Sequence, residues 1–520
     1  MQLINTRPTA VFPGGLVAWG IGLVVLAGLV YWSPLIAGLV MVLIAGGAVA
    51  ARLAWRHPEL GLLLMTFLVA DIISGDDIAI SLGGFRVHPD DLALIGVIAL
   101  FVCWGLRQQR LVISHWSFVG PLVALAGFAV FSALYALVYQ HVDPVLIMGE
   151  LRPPLYAVGA VVAAMLIVRR DQLLILLAGL FVIADLTAGA IIVHQFTGVP
   201  PSLGNVPPSG VWQVETMTDL GGGFGSVRVV PPAHVLLYLM ENIAGCLVLF
   251  PPRIRWARSA LLAQCALLGV ALLLTYTRAQ WVATAIALTL IVGLLPRAAR
   301  KTLGRSLSVA VPVIVVALSL VAGGVIGTGE GGTVQALASR ATSIITPNST
   351  LNTASLQWRA FENQAAFNAI AAHPVVGVGL GNDYRDVTLL QGEASGWLWD
   401  LGGPSRLTRM AHNSYLYLTV KMGIPALLTF FWFAIAFLIG GARAYARLPA
   451  GPEKLVVLAT VASFPGLLFW AIFEAHLMRQ GGMVAIGLMV GIVVAIASLA
   501  GRNGSPTRLS NEPPRSETSR

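Results

Sequence analysis

Long runs of apolar residues occupy almost the whole chain, and short breaks that are polar or contain Pro and Gly separate them. A helix crosses the hydrocarbon core of a bilayer with about 20 mostly apolar residues, and it satisfies its own backbone hydrogen bonds there. The pattern therefore predicts an all-α polytopic membrane protein with about 14 (12–14) transmembrane helices. The predicted spans are residues 16–32, 35–51, 59–73, 91–106, 117–139, 152–168, 172–194, 232–250, 259–276, 279–296, 307–326, 413–440, 455–473 and 482–500.

The composition agrees with this class of protein. Hydrophobic residues make up 57% of the chain and charged residues only 11%, and the mean hydropathy is +0.82, which is far from the usual mix of a soluble domain. The first apolar segment lacks a small-residue cleavage site and leads straight into another span, so we interpret it as a retained helix and not as a signal peptide. The three cysteines fall in predicted spans, which argues against disulfides and thiol catalysis.

The basic residues alternate with the spans in a way that predicts the orientation of the chain. An excess of Lys and Arg marks the cytoplasmic side of a membrane protein, so both termini are expected inside. The net charge of +9 is then explained by topology and by contacts with anionic lipids, and it requires no nucleic-acid partner. The clusters are Arg52/Arg56, Arg107/Arg110, Arg169/Arg170, Arg253/Arg255/Arg258, Arg297/Arg300/Lys301/Arg305 and Arg443/Arg447/Lys454.

This orientation places four loops outside the membrane: residues 74–90, 140–151, 195–231 and 327–412. Only the last is long enough for a small helical subdomain, so we expect one large extracytoplasmic helical loop. Within it, apolar residues at helical spacing predict an amphipathic helix on the surface; they are Leu356, Phe361, Ala365, Phe367 and Ile370. Residues 501–520 are mixed in charge and are expected to form a disordered cytoplasmic tail.

Arg278 lies between two predicted spans with almost no loop, at the outer membrane boundary. An arginine there is costly unless it pairs or meets an anion. One interpretation is an interfacial arginine beside the aromatic residues Tyr276 and Trp281. The other is an anion site, because a guanidinium binds phosphate with two hydrogen bonds and the hydroxyls of Thr275 and Thr277 are close in sequence.

His412 and Arg359 allow the same two kinds of interpretation. His412 stands at the start of a predicted span, where Asn413 or Ser414 could cap the helix and leave the histidine merely exposed. Alternatively His412 is a general base, since imidazole can accept a proton from a sugar hydroxyl. Arg359 on its surface helix could be solvated or paired with Glu362, three residues further on, or it could bind an anion.

Several other polar groups have a plain structural interpretation. The run Gly377–Gly381 fails the dinucleotide fingerprint, and we expect a tight chain reversal that brings the loop helix back over the core. Asp76/Asp77 could bind a divalent cation, but the acidic pairs in this loop are more simply explained as solvated and paired with Arg86 and His88. Buried Glu241, Lys421 and Glu474 require partners in the bundle that the sequence does not identify.

Three motifs, in this order, resemble those of the O-antigen ligase and polymerase superfamily of polytopic bacterial membrane proteins. TYTRAQWVA resembles the family's Ser/Thr-Arg turn between two spans. WRAFENQAAFNAIAAHPVVGVGLGN resembles its arginine-bearing helix followed by Pro-x-x-Gly-x-Gly. AHNSYLYLTVKMGIPALLTFF resembles its His-Asn-Ser entry into a span. The resemblance divides the chain into N-terminal helices (1–258), a ligase-like catalytic region (259–440), C-terminal helices (441–500) and the tail.

The resemblance implies transfer of a polyprenyl-diphosphate-linked glycan to an acceptor hydroxyl at the outer face of the bacterial inner membrane. Arg278 and Arg359 would bind the donor's diphosphate, His412 would deprotonate the acceptor, and Asn413 would contact substrate. Arg228 would add a further phosphate contact, although its surroundings depart from the family's pattern. The implied partners are the lipid-linked donor, a lipid or glycan acceptor and membrane lipids. The reaction would be inverting and would need no metal and no cofactor.

Three alternatives remain open at this point. A polymerase, whose acceptor is another lipid-linked glycan, shares the motifs. A polysaccharide transporter could also use charges within a bundle, but it should show paired halves with broken helices at matching positions, and we see no such symmetry. A metal-dependent glycosyltransferase that uses Asp76/Asp77 would lose activity with a chelator.

Overall fold

The computed structural model describes residues 52, 55–72, 80–82, 85–108, 116–199, 213–216, 227–248, 255–295, 300, 350–385 and 408–504. The chain divides into two units, Met1–His57 and Pro58–Arg520, and the fold below is that of the second. Its helices are α1 (Pro58–Val69), α2 (Pro89–Gln108), α3 (Val119–Tyr139), α4 (Pro144–Met165), α5 (Arg170–Thr197), α6 (His234–Val248), α7 (Arg255–Leu274), α8 (Arg278–Leu294), α9 (Thr350–Ala372), α10 (Ser414–Arg447), α11 (Pro452–Trp470) and α12 (Gln480–Gly504).

The described part of the chain is a polytopic helical membrane fold. Eight of its helices are long and apolar enough to cross a bilayer, namely α2, α3, α4, α5, α7, α10, α11 and α12, and three shorter apolar helices, α1, α6 and α8, accompany them. Each predicted span that falls on described residues coincides with one of these helices. The predicted spans 16–32, 35–51 and 307–326 lie outside the described residues, as do most of loop residues 327–349 and 386–407.

One predicted boundary is wrong. Residues 140–151 were expected to form an outer loop, with the next span beginning at 152, but α4 already begins at Pro144. Proline is well suited to the first turn of a helix, and the Asp143 side chain caps this end by accepting a hydrogen bond from the Val145 amide at 2.9 Å. The pair Pro153–Pro154, near the predicted start of this span, lies inside the helix.

Two short antiparallel hairpins add strands to a fold that was expected to be all-α. Strand β1 (Ile80–Leu82) pairs with β2 (Phe85–Val87), and β3 (Gln213–Thr216) pairs with β4 (Val227–Val230). Each hairpin lies in a segment that the sequence assigned to an outer loop. The alternating pattern of so few residues is too short to be separated from the apolar background.

The helices pack closely where small residues face each other, as is common in membrane proteins. Gly487 and Gly491 of α12 face alanines of α4, and a Cβ on Gly487 would lie 2.5 Å from the carbonyl oxygen of Ala157. Helices α8 and α11 meet on α6, where the Tyr238 hydroxyl donates to the Ser463 carbonyl at 2.7 Å. This core fixes the ends of α8, α10 and α12, where the polar groups discussed below lie.

The predicted chain reversal is confirmed, and it docks into a break in α10. Gly423 interrupts the helix with φ +80°, and residues 374–381, which we call the glycine strap, pair with the exposed backbone there. The Val378 amide donates to Val420 O at 2.7 Å, and the Ile424 amide donates to Pro374 O at 2.8 Å. The strap therefore holds α9 against the start of α10.

The three glycines of the strap have left-handed backbones and no room for a side chain. A Cβ on Gly377 would lie 2.5 Å from Val420 O, on Gly379 2.7 Å from the Gln140 side chain, and on Gly381 2.8 Å from the Ile147 amide. Each glycine thus approaches a different helix: α10, the end of α3 and the first turn of α4. This accounts physically for a glycine at every second position.

Candidate functional site

His412 lies in the turn just before α10, and a carboxylate on α9 holds its imidazole. The Nδ1 atom lies 2.8 Å from Oε2 of Glu362, and the His412 backbone amide donates to the same oxygen at 3.3 Å. The His412 side chain is about one-third exposed, with 32% relative accessibility, whereas that of Glu362 is buried. The Nδ1 edge of the imidazole is therefore held by Glu362, while part of the ring remains accessible to solvent or substrate.

The other oxygen of Glu362 is also occupied. Its Oε1 accepts a hydrogen bond from the Trp358 indole at 2.9 Å and pairs with Nη1 of Arg385 at 3.1 Å. The Arg385 guanidinium is buried, lies over the rings of Trp358 and Tyr384, and donates to Met410 O at 2.6 Å. Glu362 thus joins α9, the residues after the strap and the turn before α10.

These contacts keep Glu362 ionised. Burial alone would raise the pKa of its carboxyl group, but the hydrogen bond from His412 and the positive charges of His412 and Arg385 outweigh burial and lower it. An ionised carboxylate only accepts hydrogen bonds, so the proton between the two groups belongs to Nδ1 of His412. The lone pair of the neutral imidazole is then on Nε2, which is the nitrogen that can accept a proton.

Asn413 and Ser414 fix the start of α10. Asn413 caps the helix, since its side-chain oxygen accepts from the amides of Tyr415 at 3.0 Å and Leu416 at 3.2 Å. The Ser414 hydroxyl donates to the backbone carbonyl of Glu474 and accepts from the Leu477 amide. The capping interpretation is therefore right for Asn413, while His412 next to it has the specific partner described above.

Ser414 thereby docks on residues 471–479, which join α11 to α12 and which we call the connector. It contains a short 3-10 turn, His476–Met478, and it is buried along most of its length. Ser414 N also donates to Ala471 O at 2.9 Å. The connector lies outside the sequence motifs, and Glu474, which was expected to need a partner, is its only residue that the sequence analysis named.

The two predicted arginines are related to the connector in different ways. Arg359 is half-buried and its guanidinium lies 5.7 Å from the ring centroid of Phe473. Glu362, which was one possible partner of Arg359, pairs with Arg385 and His412 instead. Arg278 is half-buried at the first position of α8, whose N-cap Thr277 makes no side-chain capping bond.

The turn that carries Arg278 is connected to the connector through two histidines. Gln280 donates from Nε2 to the backbone carbonyl of His234 at 3.4 Å, and His234 Nε2 lies 3.2 Å from Nδ1 of His476 in the connector. Thr275, which was expected near an anion, instead donates its hydroxyl to the Leu272 carbonyl at 2.8 Å and lies 2.9 Å from Oε1 of Gln280. Arg359 and the segment of His412 thus contact the connector directly, and the turn of Arg278 is linked to it through His234.

Arg228 differs from the other predicted residues. Its backbone lies in β4 opposite Glu215, and its side chain lies outside the described residues.

A buried ion pair contacts the end of the strap through hydrogen bonds to the backbone. Lys421, at the break in α10, pairs with Glu150 of α4 at 3.0 Å and donates to Asn382 O at 2.5 Å. Glu150 also accepts from the Tyr417 hydroxyl at 2.9 Å and the Gly381 amide at 2.7 Å. This answers the question of the partner of Lys421, which the sequence had left open.

The acidic residues near the first hairpin have a structural role. Asp91 accepts from Arg152 at 2.7 Å and from the His88 amide at 3.0 Å, so its partners are the expected His88, through its backbone, and an arginine of α4. Within the described ranges, no group of three or more His, Cys, Asp or Glu side chains is placed to hold a metal ion. Asp76 and Asp77 lie outside those ranges.

The sequence pointed to His412, Arg278 and Arg359 but missed Glu362 and Arg385. Glu362 follows Trp358–Arg359, and Arg385 follows the strap. However, Glu362 lies 23 positions from Arg385 and 50 from His412, so no local spacing in the sequence predicts either contact.

Part of the chain, including most of the groups described above, is similar to a known protein family. Residues 263–431 match the family model described as O-Antigen ligase. The match begins in α7, includes Arg278, Arg359, Glu362, the strap and His412, and ends within α10. No curated protein sequence matches the chain.

Proposed function

We propose that this protein transfers a polyprenyl-diphosphate-linked glycan to an acceptor hydroxyl, because residues 263–431 match the family model described as O-Antigen ligase. The observation that carries this proposal is the contact of His412 with Glu362. It leaves Nε2 as the basic nitrogen of a partly exposed imidazole, within the part of the chain that matches the family. The proposed catalytic region, residues 259–440, is completed by the connector at 471–479.

In the proposed reaction, His412 Nε2 removes the proton of the acceptor hydroxyl as its oxygen attacks the anomeric carbon. The new bond joins that oxygen to the anomeric carbon. The bond from the anomeric carbon to the phosphate oxygen breaks, and its electron pair leaves with the prenyl diphosphate. Attack from the opposite face inverts the anomeric configuration. Arg278 and Arg359 bind the diphosphate and stabilise its growing charge, so this mechanism requires no metal ion or cofactor.

The proposed orientation places the turns of Arg278 and His412 on the outer side of the bacterial inner membrane, with both termini inside and about 14 spans in all. It is supported by the alternation of basic clusters, such as Arg169/Arg170 and Arg253/Arg255/Arg258, along the sequence. In intact cells, a membrane-impermeant thiol reagent should label Ser349→Cys but not Ser306→Cys, in a background in which the native cysteines are replaced. The reverse pattern would invert the orientation.

The diphosphate role of the arginines is tested by Arg278→Lys and Arg359→Lys. Lysine keeps the charge but loses the planar pair of donors. We expect each variant to lose at least about tenfold in transfer, since a charge-assisted hydrogen bond contributes about 1.5–3 kcal/mol and 1.4 kcal/mol is tenfold. Transfer is measured with the purified protein and a lipid-linked glycan donor.

Arg170→Lys is the matched control, because Arg170 is exposed and pairs with Glu453 at the other end of the bundle, so this variant should retain full activity. Full activity in both test variants would contradict the diphosphate role.

The length distribution of the products separates the two acceptor classes: a single transferred glycan indicates a ligase, and a ladder of growing chains indicates a polymerase.

A further inference from the structure

Arg479 ends the connector and directly precedes α12, and the contacts of its side chain leave its charge without a counter-ion. The side chain is half-buried, and its Nη2 donates to Sδ of Met410 at 3.7 Å. Tyr417 and His476 are its electrostatic neighbours. Among the residues that the structure describes, no carboxylate pairs with this guanidinium. A thioether is a weak acceptor, so Met410 compensates little of its charge.

Other arginines near the outer helix ends are arranged differently. Arg152 pairs with Asp91, Arg385 with Glu362, and Arg409 with Asp383 at 2.7 Å. His476 offers no compensation, because burial, together with His234 and Arg479, lowers its pKa well below the usual range and keeps it neutral. Taking a charge partly out of water is costly unless it meets a partner of opposite sign. The chemistry of Arg479 therefore requires an anion from outside the described chain.

The position of Arg479 indicates where that anion would be. Met410 precedes His412 by two residues, and Arg385 donates to its carbonyl. The connector that Arg479 ends also carries Phe473, on which Arg359 rests, and His476, which leads to the turn of Arg278. Arg479 thus ends the segment that Arg359 and Ser414 contact and that reaches the turn of Arg278 through His234, and it lies outside the family match at 263–431.

We infer that Arg479 binds a phosphate group of a lipid substrate and forms a third guanidinium contact beside Arg278 and Arg359. Phosphate suits the site because an arginine fork binds two of its oxygens at once. Two sources offer this chemistry at a membrane boundary: the diphosphate of the prenyl-linked donor and the headgroup of an anionic phospholipid. The assignment to the donor rests on the proposed function.

The test measures binding, so it does not depend on transfer. Full-length protein in phosphatidylcholine nanodiscs is titrated with farnesyl diphosphate, a short prenyl diphosphate, in the absence of acceptor. We expect Arg479→Gln to weaken its Kd by at least about tenfold, which is the low end for a charge-assisted contact. Arg479→Lys should fall between wild type and Arg479→Gln. Arg409→Gln removes a nearby charge that Asp383 already compensates, and it should change Kd by less than about threefold.

A second set of nanodiscs contains phosphatidylglycerol and separates the two sources. Equal Kd values for farnesyl diphosphate in wild type and Arg479→Gln would overturn the donor contact. If, in addition, phosphatidylglycerol raises the Tm of wild type but not of Arg479→Gln, the phosphate belongs to the bulk lipid. A loss as large in Arg409→Gln would show general attraction and would also overturn the contact. Arg479→Lys guards against misfolding, because it keeps the charge that the fold accommodates.

These outcomes are distinguishable from a failure of the proposed function. If His412→Ala retained full transfer, the catalytic role of His412 would be wrong, but the farnesyl diphosphate titration would still report on Arg479. Conversely, unchanged binding in Arg479→Gln would leave the roles of His412, Arg278 and Arg359 untouched.

Discussion

His412→Ala should lower the rate of glycan transfer by about 10²–10⁴-fold, which is the usual contribution of a general base. Binding of the lipid-linked donor should remain close to that of wild type, because the proposed base acts on the acceptor and the arginines hold the diphosphate. In kinetic terms kcat should fall while the donor's Kd is unchanged. The measurement is single-turnover transfer with saturating donor, together with a separate donor titration.

The matched control is His373→Ala, since His373 is an exposed histidine at the end of α9. Its removal should change the rate by less than about twofold. A loss well under tenfold in His412→Ala would mean that His412 has only a structural role at the start of α10 and is not the general base.

Glu362→Gln tests the positioning of the base separately. Glutamine retains the shape and can accept from Trp358 or Arg385, but it lacks the charge that stabilises the imidazolium formed when Nε2 takes the proton. The rate should fall, because loss of the charge makes proton transfer to Nε2 less favourable, while the Kd of the lipid-linked donor should stay close to that of wild type. A purely structural role would lower protein yield or stability but leave the rate of the surviving enzyme unchanged.

The helices were largely predictable because their signal is local. Runs of apolar residues predict spans on their own, and α3, α5 and α12 lie close to where the runs placed them. The error at α4 has a physical cause, since Pro144 reads as a break in sequence and serves as the first residue of a helix in the structure. The strap was predictable for a similar reason, because closely spaced glycines indicate a chain reversal.

The partners of the buried charges were not predictable from sequence. Local spacing suggested that Glu362 pairs with Arg359, one turn away on the same helix, but the tertiary fold brings Arg385 and His412 to it instead. Lys421 finds Glu150 at a separation of hundreds of positions for the same reason. Polar residues in an apolar bundle must be satisfied, so the sequence shows that a partner exists, and only packing shows which one.

Lys421→Met should destabilise the protein by about 3–5 kcal/mol, the usual cost of removing one member of a buried ion pair. Lys421 is fully buried, and its loss leaves the Glu150 carboxylate with the Tyr417 hydroxyl and the Gly381 amide but no cation. Because Lys421 also donates to Asn382 O, the end of the strap should loosen as well. The free energy of unfolding is measured by reversible SDS denaturation in mixed micelles.

The double variant Glu150→Gln/Lys421→Met separates the charge from the packing. Glutamine can still accept a hydrogen bond from Tyr417 or Gly381, and no buried charge remains, so stability should recover to within about 1–2 kcal/mol of wild type, as is common when both members of a buried pair are replaced. Arg170→Met is the control for an exposed pair: its contact with Glu453 is shorter, at 2.5 Å, yet its loss should cost less than about 1 kcal/mol because water screens it. If the double variant were as unstable as Lys421→Met, the cost would lie in the lost contacts of the lysine and not in an uncompensated charge. The hydrogen bond from Lys421 Nζ to Asn382 O would then be the contact that stabilises the strap. The positions of α9 and Glu362 would depend on it as well.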